Sequence, residues 1–332
     1  MKNTRKNYSI AILIIISQFV VSGQTDVNDS YSDFDAKSLR IAVIDGFTVK
    51  RVDLDNDGIS DLTHGDMISR FLEESLPDAE IVKFDLQNPD DPVFIWRGIP
   101  GYQLEIMLRR IIADIENDRR YDAINISISH SETYDNEPEK KPRLSIFRLK
   151  KAAITSDIIR ITPDNLLLRR NLIRAGLDNH TNNCITLIEQ LITMGSRVYI
   201  AAGNQGKDAY NLLNLANGAI NVGALTENGT KSAISGDNVL VNRWARSEFP
   251  VSKTEDGIDF TGDGKTDLSF EDLSAGGENL INKLIGGTSV ATSIAIIEDF
   301  NVAFFGQRSQ LDRCLSVKFI DKQKNNFKKF AN

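Results

Sequence analysis

Ile41-Ala42-Val43-Ile44 is an unbroken apolar run of strand length that ends at Asp45-Gly46, the pattern of a strand buried on both faces of a parallel sheet. After an acidic stretch from Asp53 to Asp61, Met67, Ile68, Phe71 and Leu72 recur at helical spacing within Asp66 to Glu74, a helix that His64 opens. Glu80 to Phe84 reads as a second strand and Tyr102 to Asn117 as a helix, with Leu104, Met107, Leu108, Ile111, Ile112 and Ile115 on one stripe. Ala123 to Ser129 is a third strand. The charged, Pro-interrupted segment Glu132 to Arg143 follows, and then a basic, partly helical stretch through Arg174 whose Arg and Lys residues read as a solvated face. From Asn182 the alternation resumes: a helix through Met194, a strand from Arg197 to Ala202, and a short strand from Ala219 to Val222. Strands alternating with helices of this length predict right-handed βαβ units, hence an α/β domain of three layers with a mostly parallel central sheet and helices on both faces.

Sites in such sheets form at the carboxyl ends of the strands. Asp45, Ser127 to Ser129 and Asn204 all end or follow predicted strands, so one edge of the sheet gathers them. Gly286-Gly287-Thr288-Ser289-Val290-Ala291-Thr292 is a Gly-rich turn running into the apolar helical segment Ser293 to Phe305, which sets Ser289 at a helix N-terminus. The unpaired N–H groups there favour developing negative charge. Acyl transfer by serine needs a hydroxyl, a base, a carboxylate to orient the base and donors for the oxyanion. Of the three histidines, His130 and His180 fall in or beside polar loop segments, which leaves His64 as the base. Taken singly, Asp45 is also an ordinary Asp-Gly turn residue, Asn204 a turn asparagine and Thr288 or Ser289 an N-cap. Taken together, they follow the chain order Asp, His, Ser that distinguishes subtilisin from chymotrypsin and from the α/β-hydrolases.

The chain resembles the subtilisin-like serine proteases (subtilases, peptidase family S8). The resemblance lies in Ala42-Val43-Ile44-Asp45, His64-Gly65-Asp66-Met67-Ile68, Ile124-Asn125-Ile126-Ser127, Ala201-Ala202-Gly203-Asn204-Gln205-Gly206, Asn221-Val222-Gly223-Ala224 and Gly287-Thr288-Ser289-Val290-Ala291. It implies a subtilisin-like fold in which Ser289 attacks the scissile carbonyl, His64 acts as base and then acid, Asp45 holds the imidazole and the Asn204 amide donates to the oxyanion. It further implies that the backbone of Ser127, Ile128 and Ser129 and of Ala201, Ala202 and Gly203 flanks an extended peptide as added strands. The chain departs from the family's pattern at Gly46, where Ser or Thr is usual, at Asp66 for Thr, at Ser129 for Gly and at Ser293 for Pro. No catalytic group is lost by these changes. Asp66 adds a negative charge that favours protonated His64 if its carboxylate approaches, and Ser129 narrows the pocket before the cut. The large pro-domain usual in secreted members is also missing. These departures keep an alternative open: a weak or inactive pseudoprotease that uses the same fold as a calcium-dependent binding module.

Composition adds compartment and partners. The chain has 332 residues and a formal net charge of −7, without the basic footprint of a nucleic-acid-binding protein. Met1 to Gly23 reads as a signal peptide, with Lys2, Arg5 and Lys6 ahead of the apolar run Ile10 to Val21 and small residues at Val21-Ser22-Gly23. That run is short of the roughly 20 residues a membrane span needs. The expected layout is signal peptide 1–23, a short mobile lead-in 24–37, a catalytic domain 38–310 and a basic tail 311–332. The product would be a secreted or periplasmic monomer acting on peptide or protein substrates, with no stable membrane anchor after cleavage. Cys184 and Cys314 are the only cysteines, too few for a disulfide framework; the sequence does not decide whether they pair.

Two acidic loops share one pattern. In Asp53-Leu54-Asp55-Asn56-Asp57-Gly58-Ile59-Ser60-Asp61 and Asp259-Phe260-Thr261-Gly262-Asp263-Gly264-Lys265-Thr266-Asp267, oxygen side chains fall at positions 1, 3, 5 and 9, with glycine at 6. This spacing suits calcium, which takes six to eight hard oxygens around a tight turn. The candidate ligands are Asp53, Asp55, Asp57 and Asp61 with the Ile59 carbonyl, and Asp259, Thr261, Asp263 and Asp267 with the Lys265 carbonyl. Position 12 is His64 or Phe270, so neither is an EF-hand; both resemble the nine-residue calcium loops of integrin-type extracellular repeats. By distance along the chain, only the first loop bears on His64.

Overall fold

The computed structural model describes residues 39–48, 50–52, 54, 59–86, 101–128, 162–177, 179–207, 211–273 and 284–300. The expected signal peptide 1–23, lead-in 24–37 and tail 311–332, together with Ser129, His130 and Cys314, lie outside these residues, as do Asp53, Asp55 and Asp57 of the first acidic loop. Among the described residues, no helix is long and apolar enough to cross a membrane.

Six strands form the central sheet: β1 (Arg40–Asp45), β4 (Glu80–Asp85), β5 (Ala123–Ile126), β6 (Arg197–Ala201), β7 (Ile220–Leu225) and β8 (Arg243–Arg246). Their order is β4-β1-β5-β6-β7-β8, and all five pairings are parallel. The chain leaves β1 toward β4, then returns to the other side of β1 to lay down β5. With right-handed crossovers, this reversal sends the two connecting helices to opposite faces. Helix α1 (His64–Ser75), between β1 and β4, covers one face; α2 (Gly101–Glu116), between β4 and β5, covers the other. Helix α3 (Leu166–Gly176) and helix α4 (Asn179–Thr193) follow β5, and α4 packs beside α2. Helix α5 (Thr288–Phe300) returns to the α1 face and lies across β5 to β8.

The period of two in a strand sorts the apolar run of β1 between two cores. Ile41 and Val43 pack with Ile68, Phe71 and Leu72 of α1 and Val290, Ile294 and Ile297 of α5, while Ala42 and Ile44 pack with Leu104, Leu108 and Ile111 of α2 and Ile185 and Ile188 of α4. A strand apolar on both sides is what this double burial requires.

Several boundaries differ from the sequence reading. The third strand stops at Ile126, β7 runs on to Leu225, and the serine helix begins at Thr288 rather than after Thr292. The edge strand β8, Arg-Trp-Ala-Arg, carries no apolar signature, because only Ala245 is fully enclosed. The described end of the basic stretch is α3, whose faces are the reverse of expectation. Arg174 pairs with Glu189 of α4 at 2.8 Å and Arg170 bonds Asn217, whereas Leu167, Leu168 and Leu172 are exposed. His180 lies in α4, not in a loop, with Nδ1 3.0 Å from Glu105. That contact and the Arg109 guanidinium hold the Glu105 carboxyl below its ordinary range.

Short antiparallel pairs frame the site. β2 (Lys50–Val52) with β3 (Leu62–Thr63) leads into α1, β9 (Phe249–Pro250) pairs with β13 (Leu284–Ile285) just before the serine turn, and β10 (Ser252–Lys253), β11 (Gly257–Asp259) and β12 (Leu268–Ser269) carry the second acidic loop.

Candidate active site

Asp45 ends β1 beside the point where the strand order reverses, and its side chain is buried. Its carboxylate accepts the Gly46 N–H at 2.7 Å and meets His64 Nδ1 at 2.8 and 2.9 Å. A carboxylate only accepts, so the proton between them sits on Nδ1 and leaves Nε2 as the acceptor nitrogen. Nε2 lies 3.2 Å from the Ser289 hydroxyl. Three residues far apart in the chain thus form one continuous hydrogen-bonded line.

Each is held by the start or end of an element. His64 is the first residue of α1, capped by Thr63, whose hydroxyl oxygen accepts from the Asp66 N–H at 2.9 Å. Gly65 has no alternative: a Cβ there would come within 2.6 Å of the Phe47 ring and 2.8 Å of the Gly46 carbonyl, because the helix start presses on the loop after Asp45. The Asp66 carboxylate turns away to the Thr63 hydroxyl at 2.6 Å and to Lys83 Nζ at 3.2 Å, so its charge is engaged locally. Among the described residues it makes no hydrogen bond to His64.

Ser289 is the second residue of α5, in the turn whose N–H groups have no intrahelical acceptor. Asn204 supplies one: its Oδ1 accepts the Thr288 N–H at 2.8 Å and the Thr288 hydroxyl at 2.9 Å. An N–H can only donate, so this fixes the amide, with Oδ1 toward the helix and the Nδ2 donors on its other side. The Thr288 oxygen in turn accepts the Gly203 N–H at 3.1 Å. Gly287 adopts φ 128°, and a Cβ there would lie 3.0 Å from Asn204 Nδ2, so glycine meets both the backbone conformation and the close approach. Asn204 is solvent-exposed, while Ser289 is buried under the helix start.

The two stretches expected to flank a peptide are drawn together by a residue the sequence did not single out. Asn211 is buried, and its Nδ2 donates to the Ile128 carbonyl and to the Ala201 carbonyl, both at 2.9 Å. Ala201, Ala202 and Gly203 are themselves buried: Ala202 N–H bonds Val222 O, and Gly203 O accepts from Gly236 N–H, each at 2.9 Å. Ser127 lies under the Ser289 backbone, with its hydroxyl oxygen 3.2 Å from the Ser289 carbonyl. Asn211 gives no sequence signal beyond its residue type, since its neighbours Leu212 and Leu213 belong to a short turn.

The two acidic loops close by the same device. In the first, Asp61 accepts the Leu54 N–H at 2.6 Å and donates its own N–H to Val52 O at 2.8 Å; in the second, Asp267 accepts the Phe260 N–H at 2.6 Å and donates to Ile258 O at 2.8 Å. Ile59 is exposed. In the second loop Asp259 accepts the Gly262 and Gly264 N–H groups, and Lys265 Nζ reaches Asp263 at 2.8 Å. Distance along the chain hid one contact. Glu74, on the same helix as His64, accepts from the Thr261 hydroxyl at 2.7 Å and gathers with Asp263 and Asp267, their carboxylate oxygens within 4.8 Å of one another. Burial, then a hydrogen bond with Asp267 and the nearby acidic charges, push the Glu74 carboxyl up to about 8. Such crowding of oxygens is compatible with a hard cation, and Glu74 is the ligand candidate missed from sequence.

Neither a family model nor a curated protein matches the chain. Solved structures similar to it include a lanthipeptide protease (13% identity, TM-score 0.42, 78% of this chain and 71% of that one) and the self-cleaved protease domain of PatA (15%, 0.43, 78% and 77%). A cold-adapted subtilisin-like serine proteinase is similar at 14% identity and TM-score 0.43, over 81% of this chain and 78% of that one.

Proposed function

We propose that the chain is a serine endopeptidase that hydrolyses peptide bonds with Ser289 as nucleophile, His64 as general base and then acid, Asp45 as the orienting carboxylate and Asn204 as an oxyanion donor. The observation that carries this reading is the line from Asp45 through His64 to Ser289, with the Nδ1 proton on the Asp45 side and Nε2 facing the hydroxyl at 3.2 Å. In the reaction Ser289 Oγ bonds to the scissile carbonyl carbon and passes its proton to Nε2. The imidazolium that results is stabilised by Asp45, then protonates the leaving amine; a water repeats the sequence to release the acyl group. The carbonyl oxygen becomes an oxyanion in that first step. The Nδ2 donors of Asn204 and the Ser289 N–H, which follows the Asn204-bound Thr288 N–H at the start of α5, are the preorganised partners for it.

Calcium belongs to the same reading. Asp53, Asp55, Asp57, Asp61 and the Ile59 carbonyl would hold one ion; Glu74, Asp263 and Asp267, with Asp259, Thr261 and the Lys265 carbonyl nearby, would hold the other. Bound calcium would neutralise these carboxylates and fix the two loops against α1. The N-terminal segment 1–23 supports export, so the substrates would be peptides or proteins outside the cytoplasm.

The test is labelling of the exported protein with a fluorophosphonate probe, read by intact mass, beside hydrolysis of casein or a peptide library. Wild type is expected to gain one adduct that Ser289→Ala abolishes. A folded wild type that neither labels nor hydrolyses would instead leave a binding module on this fold.

A further inference from the structure

Beneath the candidate site, a buried polar thread joins three elements. Asn125, fully buried in β5, donates from Nδ2 to the Ser293 hydroxyl of α5 at 2.9 Å, and its Oδ1 accepts from the Ser127 hydroxyl at 2.6 Å. The Ser293 hydroxyl, also fully buried, points its proton at the Ile68 carbonyl of α1 over a long 3.4 Å. Ser127 returns to the start of α5, 3.2 Å from the Ser289 carbonyl. Ser127 has one proton, and the shorter contact assigns it to Asn125.

The spacing gives the thread its meaning. Ser293 lies one helical turn after Ser289 on α5, and Ile68 one turn after His64 on α1. In each helix, residues four apart share a face. The thread therefore grips both helices one turn below the two groups that must exchange a proton, and ties both to the strand next to Asp45. Apolar contacts alone would leave α1 and α5 free to slide or rotate by fractions of an ångström, since dispersion is non-directional. A directional bond from a fully buried amide is not so tolerant, because any slip leaves a buried donor without an acceptor.

We infer that Asn125 and Ser293 are positioning residues, which set the His64–Ser289 separation by locking α1 and α5 to β5; their catalytic consequence rests on the serine-peptidase reading above. Two variants test this in the full chain. Ser293→Ala removes the middle of the thread and takes away the acceptor of Asn125 Nδ2, while Oδ1 keeps the Ser127 hydroxyl. Asn125→Leu combined with Ser293→Ala removes both polar partners, which restores much of the stability lost with one, and frees the Ser127 proton for the Ser289 carbonyl.

The expected result for Ser293→Ala is a fluorophosphonate labelling rate about 10- to 100-fold below wild type, the scale on which small misplacements act, with substrate KM little changed. In its crystal structure, the Nε2–Oγ distance is expected beyond the 3.5 Å at which such a contact ceases to be a hydrogen bond. The double variant is expected to regain melting temperature and not labelling rate. An unchanged Nε2–Oγ distance, an unchanged labelling rate, or a double variant that recovers rate along with stability would each overturn the inference. If wild type itself does not label, the peptidase reading fails, and the crystallographic distance in Ser293→Ala still decides whether the thread positions the two side chains.

Discussion

Asn204 carries two roles on one amide, and they can be separated. Oδ1 accepts the Thr288 N–H and hydroxyl at the start of α5, while Nδ2 is the proposed oxyanion donor. Asn204→Ala loses both. Loss of a helix N-cap costs about 1 kcal/mol, and the second bond, at an exposed residue where water substitutes, adds about 0.5–1 kcal/mol. At about 2–4 °C per kcal/mol for a domain of this size, Tm is expected to fall by roughly 3–8 °C. Asn204→Asp keeps an oxygen for both Thr288 donors and places negative charge at the helix N-terminus, which stabilises by about 0.3–1 kcal/mol. The same change removes the N–H donors, and removal of one oxyanion donor costs about 10²–10³ in turnover. Thermal melts, with kcat and KM on a peptide substrate chosen by library profiling, should therefore place the two variants apart in stability and together in kcat. A kcat for Asn204→Asp within a few-fold of wild type would refute the donor role, and melting as low as that of Asn204→Ala would refute the capping role.

Other consequences are equally direct. Calcium chelation is expected to lower Tm and kcat together, and Glu74→Gln to narrow the Tm difference between calcium and chelator; identical melts in both conditions would remove both ion sites. Glu298 is pushed up to about 7 by burial, with Asp299 adding to the rise and Arg243 opposing it. Its contribution to stability is thus present below about 4.5 and lost as pH rises toward 7 and above; Glu298→Gln should flatten this part of the pH–Tm profile, and parallel profiles would count against it. Phe71, fully enclosed between Phe249 and Phe260 at ring separations of 5.1 and 5.9 Å, anchors α1. Phe71→Ala should cost about 3–5 kcal/mol in denaturant unfolding, and a loss under 1 kcal/mol would mean that the helix is held elsewhere.

The sequence by itself determined the layered architecture, because a strand covered on both faces must be apolar throughout and an amphipathic helix must repeat its apolar residues every three or four positions; β1, β6, α1, α2 and α4 all announced themselves in this way. It also named Asp45, His64, Asn204 and Ser289, since each stands beside a glycine or at an element end where local chemistry leaves a mark. The tertiary structure decided what has no local mark. β8 is a strand because β7 offers an unpaired edge, not because Arg-Trp-Ala-Arg prefers one. The faces of α3 were misread because the Arg174 guanidinium finds Glu189 across a helix interface, a partner that no pattern within α3 encodes. Asn211, Glu74 and the Asn125–Ser293 thread were invisible for the same reason: a buried hydrogen bond needs its partner within about 3 Å, and only the folded chain brings residues so distant in sequence to that separation.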